Sequence, residues 1–395
     1  MPNKKSQFLK NRIEEYISIL PLISLKSFKF PLKNDYIISI QNKLKKNENI
    51  DNIDKHIQNF EHAINRSLMS ICGFGIFNFL PNKVECLVEI EDKVYSFNGQ
   101  TNGFFNVKLI NSDNKIVCDK KTINNGLISL NFTDNNEMFF IADNKKFFIK
   151  SDVYAGKKQQ KIKIFDTYIL GDSVNAIMES NSKILNIKQS ISSLINDNKF
   201  SFTYILDRKC SDSFTFVLNF DKPQKLLNKH KDFCYMLYEY EGFSIITGEN
   251  SIGYDNKIEY AFKKINNKNG IIRELIEFTI LFNPNNSSET QKQIINQLYL
   301  KSKPLVKIIS DKIIDDISLY KTSNEKIILN NIYLAENNIG IIIQIENISS
   351  EEEIAKINYA NLEPKYVLND NLDKKERCFS GVKLKSKEKM FLLMQ

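Results

Sequence analysis

The sequence predicts a mainly β protein, in which a short N-terminal helical segment is followed by two or three antiparallel β-sandwich domains. Apolar residues recur at helical spacing as far as Ser70, whereas from Gly75 onward they alternate with polar residues. Turn signals lie between the alternating stretches and are typical of hairpins: Asn98-Gly99, Asn102-Gly103, Asn125-Gly126, Asn269-Gly270 and Asn338-Ile339-Gly340. With 42% hydrophobic residues, including 28 Phe and 16 Tyr, the 395-residue chain has ample apolar surface for large cores.

Three helices are expected in the N-terminal segment. The first begins at Arg12 and is expected to end at Pro21, because proline has no backbone N–H to donate to the preceding turn. Gly73 follows the third helix, where a C-terminal stop is expected. The apolar positions at helical spacing are Ile13, Ile17 and Leu20 in the first helix, Tyr36, Ile37, Ile40 and Leu44 in the second, and Ile53, Ile57, Phe60, Ile64 and Leu68 in the third.

The rest of the chain is expected to form strands that are buried on one face. Alternating stretches run from Val84 to Ile90, from Phe214 to Phe220 and from Val382 to Leu384. Polar stretches at Asp152 to Lys163 and at Ser310 to Asn324 are the boundary candidates. The predicted organisation is a helical segment (1–72), a small β-sandwich (73–160), a large β-sandwich (161–312) and a C-terminal β-sandwich (313–395).

Charge and cysteine usage exclude several classes of function. With 55 Lys and Arg against 47 Asp and Glu, the net charge of +8 is too small and too evenly spread for a nucleic-acid partner. No apolar run approaches the roughly 18 residues of a membrane span, and no signal peptide is recognised. The cysteines contain no Cys-x-x-Cys pair and are typical of reduced thiols in a cytoplasmic protein. They are Cys72, Cys86, Cys118, Cys210, Cys234 and Cys378.

The histidines are not expected to form a metal site. His56 and His62 are six residues apart on the third helix, which at about 100° per residue places them about 240° apart around its axis. They cannot share a metal ion and are predicted to lie at the surface. His230 is predicted in a polar turn, with no cysteine or histidine at ligand spacing.

Known catalytic signatures are missing as well. The chain has no Gly-x-Ser-x-Gly, no glycine-rich phosphate loop and no His-Glu-x-x-His, and its acidic stretches Asp315-Asp316 and Glu351 to Glu353 are expected in solvated turns. The sequence therefore predicts no catalytic, cofactor-binding or metal-ligating residue. Stacking of aromatic residues on sugar rings stays open, although the chain has no Trp and most Phe alternate toward the core.

Four segments of the chain occur in a recognisable order. They are Gly75 to Pro81, Gly242 to Ile246 followed by Ser251 to Tyr254, Glu277 to Pro284, and Asn296 followed by Lys303-Pro304-Leu305. In the same order they resemble the V-F-N-P-L strand, the G-x-A-L-L-N-x-x-K-Y-G-Y hairpin, the E-F-x-Y-A-L-Y-P-H strand and the N-x-P-L segment of the alpha-mannosidases of glycoside hydrolase family 38. The resemblance covers residues 35–395 and concerns the C-terminal, non-catalytic half of those enzymes.

The resemblance implies that catalysis needs parts beyond residues 35–395. In this family an N-terminal α/β domain supplies an Asp nucleophile and most ligands of a zinc ion. The remaining ligand is the histidine of an N-x-P-H-D-S stretch in the helical segment. Here Lys45 and Lys46 stand where that histidine and aspartate would be. Because an ammonium group has no lone pair for a metal, the chain alone is expected to hold no zinc and to leave mannosides uncleaved.

Two classes of function follow. The resemblance implies a carbohydrate-binding protein, or a non-catalytic partner of a separate α/β glycosidase chain that performs retaining, zinc-dependent hydrolysis of α-mannosides. The expected partners are that chain or a second copy of this one, and a mannose-containing glycan, without a cofactor, nucleic acid or membrane. The alternative is a structural or adhesive β-sandwich protein with no carbohydrate role, since fold alone does not fix function.

Overall fold

The computed structural model describes residues 4–25, 32–46, 48, 50–80, 83–99, 102–110, 116–119, 121–133, 138–155, 158–160, 163–170, 172–181, 185–208, 214–220, 225–232, 235–262, 272–283, 288–310, 314–335, 340–369, 372, 374–378 and 381–395. Its helices are α1 (Lys4–Leu25), α2 (Asn34–Lys45), α3 (Ile53–Ile71) and α4 (Ser288–Ser302). None of the helices in these ranges is long and apolar enough to cross a bilayer.

The strands confirm a mainly β protein with helices at its N-terminus. Those up to residue 160 are β1 (Gly75–Asn78), β2 (Val84–Ile90), β3 (Lys93–Gly99), β4 (Gly103–Phe105), β5 (Lys108–Leu109), β6 (Val117–Cys118), β7 (Thr122–Asn124), β8 (Ile128–Phe132), β9 (Met138–Ala142), β10 (Lys145–Ala155) and β11 (Lys158–Gln160). Those up to residue 282 are β12 (Lys163–Leu170), β13 (Ser173–Asn181), β14 (Leu185–Leu194), β15 (Lys199–Arg208), β16 (Phe214–Phe220), β17 (Asn228–Asp232), β18 (Tyr235–Tyr240), β19 (Phe243–Gly248), β20 (Ser251–Gly253), β21 (Lys257–Phe262) and β22 (Ile272–Phe282). The last are β23 (Val306–Ile308), β24 (Ile317–Ser318), β25 (Tyr320–Thr322), β26 (Ile327–Leu334), β27 (Ile341–Asn347), β28 (Glu353–Ala355), β29 (Ile357–Tyr359), β30 (Pro364–Leu368), β31 (Lys374–Arg377), β32 (Val382–Leu384) and β33 (Lys389–Met394).

Contacts within the chain divide it into two compact units. Unit 1 comprises Met1–Glu85, Phe97–Val107 and Ser302–Gln395, and unit 2 comprises Cys86–Ser96 and Lys108–Lys301. Because β10 pairs with β16, one sheet of unit 2 runs across the predicted boundary at residue 160. The division of the chain into independently folding domains stays a prediction.

In unit 1 the N-terminal helices pack on antiparallel sheets. The larger sheets have the strand orders β23-β1-β4-β24 and β26-β27-β33-β30-β31, and the pairs β25–β29 and β28–β32 accompany them. One hydrophobic core joins helices and strands, with Tyr16 of α1, Phe60 of α3, Phe77 of β1 and Tyr359 of β29 all fully buried within it.

Unit 2 is built on two large antiparallel sheets. One has the order β20-β21-β16-β10-β9-β8-β7-β6, with β11 paired to β10, and the other has the order β12-β13-β14-β15-β22-β19-β18-β17. Side chains from both sheets form one core, in which Phe202 stacks on Phe278 with ring centroids 4.7 Å apart. Buried and half-buried residues alternate strictly along β15, so this strand has a single buried face, as expected for a half-buried strand.

The prediction that α1 ends at Pro21 is wrong, because the helix runs from Lys4 to Leu25 with Pro21 inside it. A proline in a helix interior costs about 3 kcal/mol, since it cannot donate a hydrogen bond to the preceding turn. Leu20 and Ile23 lie on either side of the proline and are both buried. Their burial stabilises by about 1.5–3 kcal/mol each, which is enough to offset the proline.

The expectation that strand periodicity persists beyond Gly75 fails at α4. This helix places Ile294 and Leu298, one turn apart, against Leu237, Ile246 and Leu281 of unit 2. Two apolar residues at i and i+4 in a polar stretch are a weak helix signal, and the contact that stabilises them lies far away in the sequence. The third predicted helix, by contrast, is confirmed as α3, with Ile57, Phe60, Ile64 and Leu68 buried.

The outcome differs from one predicted turn to the next. Asn125-Gly126 lies between β7 and β8, and Gly126 has a φ of 93°, as a tight turn requires. Asn98-Gly99 is instead the end of β3, so this predicted turn is wrong. A Cβ on Gly99 would collide with the ring of Phe97, so the glycine serves close packing. Asn269-Gly270 and Asn338-Ile339 lie outside the described residues.

Candidate functional site

A pocket of about 270 Å³ in unit 1 is bordered by α1, α2 and the sheet that contains β26 and β33. It is called the α1–α2 pocket below, and its lining is Lys10, Ile13, Glu14, Gln41, Leu44, Lys45, Tyr333, Leu372 and Phe391. Lys45, which the sequence singles out because it stands where a zinc-binding histidine would be, is part of its wall. The residue that the family resemblance singles out therefore lines a pocket of the structure.

Two aromatic rings form one side of the α1–α2 pocket. Tyr333 of β26 and Phe391 of β33 have ring centroids 6.2 Å apart and planes tilted by 49°. Their strands flank β27, which pairs with both of them. The two rings also pack against a small cluster of buried residues that includes Ile342 and Leu393. This support gives the pocket a preformed apolar wall.

The α1 side of the pocket carries an ion-pair chain. Lys10 Nζ lies 3.8 Å from Glu14 Oε1, as expected for residues one helical turn apart. The other oxygen of Glu14, Oε2, lies 3.3 Å from Lys303 Nζ. The Glu14 carboxylate thus faces two ammonium groups and is almost fully buried.

The α2 side of the pocket carries an amide and an ammonium. Gln41 and Lys45 are one turn apart, so both project on the same face of α2 beside Leu44. Lys45 Nζ is 6.0 Å from the centroid of the Tyr333 ring, at the outer limit of a cation–π contact. Lys46 is exposed and lies 4.0 Å from Glu48 Oε1.

Tyr333 supplies a hydrogen-bond donor as well as a ring. Burial raises the pKa of its phenol to about 12, and the negative charge of Glu14 acts in the same direction. At neutral pH the hydroxyl is therefore protonated. The α1–α2 pocket combines an apolar wall with a phenol, an amide and two ammonium groups, which is the arrangement of a small-molecule site.

A second cavity of about 20 Å³ lies next to the pocket and shares Glu14 with it. Such a volume holds about one water molecule. Glu15, Ser18, Asn102 and Lys303 also line it. Within the described residues, Oε1 of Glu15 and Oδ1 of Asn102 have no hydrogen-bond partner, so two buried acceptors remain for a water to satisfy.

Glu15 is the most perturbed acid in this region. Its Oε2 lies 2.8 Å from Arg12 NH1, and both side chains are at most 5% exposed. Burial raises the pKa of Glu15 to about 7, although the positive charges of Arg12 and Lys303 lower it. Glu15 therefore keeps its proton to a higher pH than an ordinary glutamate does.

The structure does not bring the histidines together. His62 is exposed, as predicted, but His56 is half-buried and its Nδ1 is 2.6 Å from the hydroxyl of Tyr36. His230 lies in strand β17, paired with Leu237, so the prediction of a polar turn is wrong there. All of β17 pairs with β18, and this pairing holds the segment as a strand although its own sequence is polar. Among the described residues no group of three His, Cys, Asp or Glu side chains could hold a metal ion.

The acidic stretches are exposed as predicted, except for Glu353, which is half-buried in a strand, so the prediction of a solvated turn is wrong for that residue. Asp316 Oδ1 accepts hydrogen bonds of 2.8 Å from the backbone N and the side-chain amide of Asn106. Glu353 begins β28, and its Oε1 lies 2.6 Å from Lys326 Nζ. Both carboxylates therefore have structural partners.

The segments that carry the family resemblance are strands and one helix. Gly75–Asn78 is β1 and the stretch from Glu277 to Phe282 belongs to β22, as the resemblance implies. The segment from Gly242 to Tyr254 is not a single hairpin, because β19 and β20 belong to different sheets. Pro81 and Pro284 lie outside the described residues.

Comparison with known proteins gives a structural likeness. No protein-family model matches the chain, and no curated protein matches its sequence. Among solved structures, an alpha-mannosidase from Enterococcus faecalis V583 matches with a TM-score of 0.63 at 7% identity, over 99% of this chain and 67% of that one. A protein in the glycosyl hydrolase family 38 from Enterococcus faecalis matches with a TM-score of 0.60 at 8% identity, over 99% of this chain and 69% of that one. The chain thus has the fold of the C-terminal region of these proteins, which confirms the predicted resemblance at the level of the fold.

Proposed function

We propose that this chain is a carbohydrate-binding protein on an alpha-mannosidase-like scaffold, and that a sugar ring is held in the α1–α2 pocket. The observation that carries the proposal is the pair of rings of Tyr333 and Phe391, which a supporting apolar cluster holds against the pocket. The pyranose ring of a hexose has an apolar C–H face that fits an aromatic wall, and hydroxyl groups around its edge.

The polar groups of the pocket match the edge of a sugar. The amide of Gln41 both donates and accepts hydrogen bonds, and the protonated phenol of Tyr333 donates one. The volume of about 270 Å³ is close to the lower end of the range of about 300–1,000 Å³ for small-molecule sites. The pocket is thus suited to one sugar ring, or to the end of a glycan, more than to a long chain.

The same proposal assigns hydrolysis to another polypeptide. A zinc-dependent mannosidase needs a neutral imidazole where this chain has Lys45, and a protonated ammonium cannot coordinate zinc. A separate α/β chain would supply the nucleophile and the metal. A cytoplasmic location, and the choice between that chain and a second copy of this one as partner, stay predictions.

Calorimetric titration of the purified chain with mannose and with α-linked mannobiose tests sugar binding. We expect Tyr333→Ala to weaken binding about tenfold, because an aromatic contact is worth about 0.5–1.5 kcal/mol beyond its area. Tyr366→Ala is the matched control: Tyr366 packs against the same small cluster and does not line the pocket. If Tyr333→Ala and Tyr366→Ala lose sugar affinity equally, the cause is destabilisation of the cluster and not the loss of a sugar contact.

The second arm addresses hydrolysis. The tagged chain is purified natively from its own cells, and zinc and α-mannosidase activity are measured in that eluate and in the chain alone. Activity confined to the eluate, with a co-purifying α/β chain, supports the proposed partnership. Activity in the chain alone contradicts it. If no sugar binds and no partner appears, the structural or adhesive alternative replaces the proposal.

A further inference from the structure

We infer that the ligand of the α1–α2 pocket is an anionic sugar, a hexose that carries a phosphate or a carboxylate. This inference rests on the proposed function, because it concerns the same pocket, and it specifies the class of sugar. The charges on the pocket wall carry the argument. Two ammonium groups, those of Lys10 and Lys45, line the pocket together with the single carboxylate of Glu14.

The carboxylate does not neutralise both ammonium groups. Glu14 Oε1 is 3.8 Å from Lys10 Nζ, while Glu14 Oε2 is 3.3 Å from Lys303 Nζ, a cation outside the lining. The negative charge of Glu14 is therefore shared between two lysines. Within the described residues Lys45 has no ion pair, and its Nζ lies over the ring of Tyr333, 6.0 Å from the centroid. A cation–π contact at an exposed site contributes only about 0.5–1 kcal/mol, so an anion near Lys45 would be a stronger partner.

Lys45 also lies in the last turn of α2, which provides a competing explanation for its presence. The C-terminus of a helix is equivalent to about half a negative charge, and basic residues there stabilise the helix. This half charge is smaller than the full charge of Lys45 alone. The Lys10 ammonium adds to the positive side, so the pocket retains a positive potential.

The position of the charges fits a sugar that carries its anion at one end. The rings of Tyr333 and Phe391 form the apolar side of the pocket, and Lys45 Nζ lies over the Tyr333 ring, 6.0 Å from its centroid. A hexose stacked on the rings would therefore place a substituent on its exocyclic carbon within reach of an ammonium group. Because Lys45 is exposed, we expect the anion to strengthen binding by about fivefold, the factor that corresponds to about 1 kcal/mol.

Titration calorimetry on the full chain with mannose, mannose 6-phosphate, mannuronate and inorganic phosphate tests the inference. We expect either anionic sugar to bind about fivefold tighter than mannose, and the group that does so identifies the anion. The preference should shrink as salt rises from about 0.01 M to about 1 M, over which the screening length falls from about 30 Å to about 3 Å. In Lys45→Met the ratio of the affinity for the preferred anionic sugar to the affinity for mannose should fall toward one. Lys46→Met is the matched control, because this neighbouring lysine does not line the pocket and should keep the ratio.

Three outcomes would overturn the inference. Equal affinities for mannose and both anionic sugars would leave the proposed function standing and remove the anion. A preference that persists in Lys45→Met would place the anion elsewhere. Inorganic phosphate that binds as tightly as mannose 6-phosphate would show that the sugar ring contributes nothing. If none of the sugars binds, the proposed function itself fails.

Discussion

Arg12 NH1 lies 2.8 Å from Glu15 Oε2 on α1, and both side chains are almost fully buried in the core of unit 1. The pair is an i, i+3 contact, the spacing at which helical side chains meet. Burial nevertheless outweighs the attraction, because it raises the pKa of Glu15 to about 7 in spite of Arg12 and Lys303. The carboxylate is therefore destabilised in its charged form even beside a guanidinium.

The first prediction concerns the pH dependence of stability. The pKa of Glu15 rises from its ordinary 4.5 to about 7 on folding, so the folded state holds the proton more tightly than the unfolded state. The resulting stabilisation is fully present below pH 4.5 and is lost as the pH rises through 7, and it amounts to about 3 kcal/mol. Urea unfolding of the wild type and Glu15→Gln at a series of pH values measures it.

As the pH rises from 4.5 through 7, the unfolding free energy of the wild type should fall relative to that of Glu15→Gln. Glu352→Gln is a suitable control, because Glu352 is half-exposed and pairs with Lys383 at the surface. Its difference from the wild type should stay within about 0.5 kcal/mol over the same pH range. A flat difference for Glu15→Gln would show that Glu15 titrates at its ordinary pKa.

The second prediction concerns the partner of Glu15. Arg12→Met leaves the Glu15 carboxylate buried without its nearest cation, which costs about 3–5 kcal/mol when the carboxylate is charged. At acidic pH the cost should be smaller, because Glu15 takes up a proton. At alkaline pH the double variant Arg12→Met, Glu15→Met should be more stable than Arg12→Met alone, because it contains no buried unpaired carboxylate. Thermal and urea unfolding at acidic and alkaline pH check this, and a double variant as unstable as Arg12→Met would contradict it.

Sequence periodicity predicts the type of most elements discussed here, because it reports burial on one face. It predicts α3 from the spacing of Ile57 and Phe60, and β16 from the alternation of Phe214 and Phe216. It fails where a distant contact decides the outcome. Pro21 stays inside α1 because its neighbours are buried, a fact that tertiary packing determines and local sequence does not.

The α1–α2 pocket could be predicted only in part. Lys45 is visible through the family resemblance, whereas Tyr333 is hidden by a β-bulge. The register of β26 shifts between Leu329 and Asn331, so Ile332 takes the core position that simple alternation would assign to Tyr333. Sequence reasoning has no signal for a bulge at Asn330 and would place the ring in the core. Glu15 is likewise hidden, since nothing local shows that this face of α1 is covered.

The third prediction concerns a buried hydroxyl in unit 1. Tyr359 of β29 donates a hydrogen bond of 2.9 Å to the carbonyl oxygen of Ser18 in α1, and Asn102 Nδ2 lies 3.4 Å from the same hydroxyl. Burial raises the pKa of Tyr359 above its usual range. Tyr359→Phe should cost about 1–2 kcal/mol, because it removes the bond and leaves the Asn102 amide unsatisfied.

Urea unfolding compares Tyr359→Phe with Tyr254→Phe. Tyr254 is exposed, so removing its hydroxyl should change the unfolding free energy by less than about 0.5 kcal/mol. Replacing both Tyr359 by Phe and Asn102 by Leu should cost less than the sum of the two single changes, because the amide and the hydroxyl share one contact. If the two losses of unfolding free energy simply add, the hydroxyl of Tyr359 and the amide of Asn102 do not stabilise each other.

The last prediction concerns the reactivity of a cysteine in unit 2. The pKa of Cys86 is raised to about 11, chiefly by burial; the positive charge of Lys199 lowers it and the negative charge of Asp197 raises it, each by less than burial does. Because the thiolate is the reactive form, alkylation of Cys86 by iodoacetamide near pH 8 should be about 100-fold slower than that of an unperturbed thiol. The rate should increase about tenfold per pH unit until the thiol titrates. Peptide mapping by mass spectrometry follows Cys86 separately from the other cysteines. In Lys199→Met the loss of the lowering charge should slow the reaction further, whereas modification of Cys86 as fast as that of a free cysteine peptide would contradict the raised pKa.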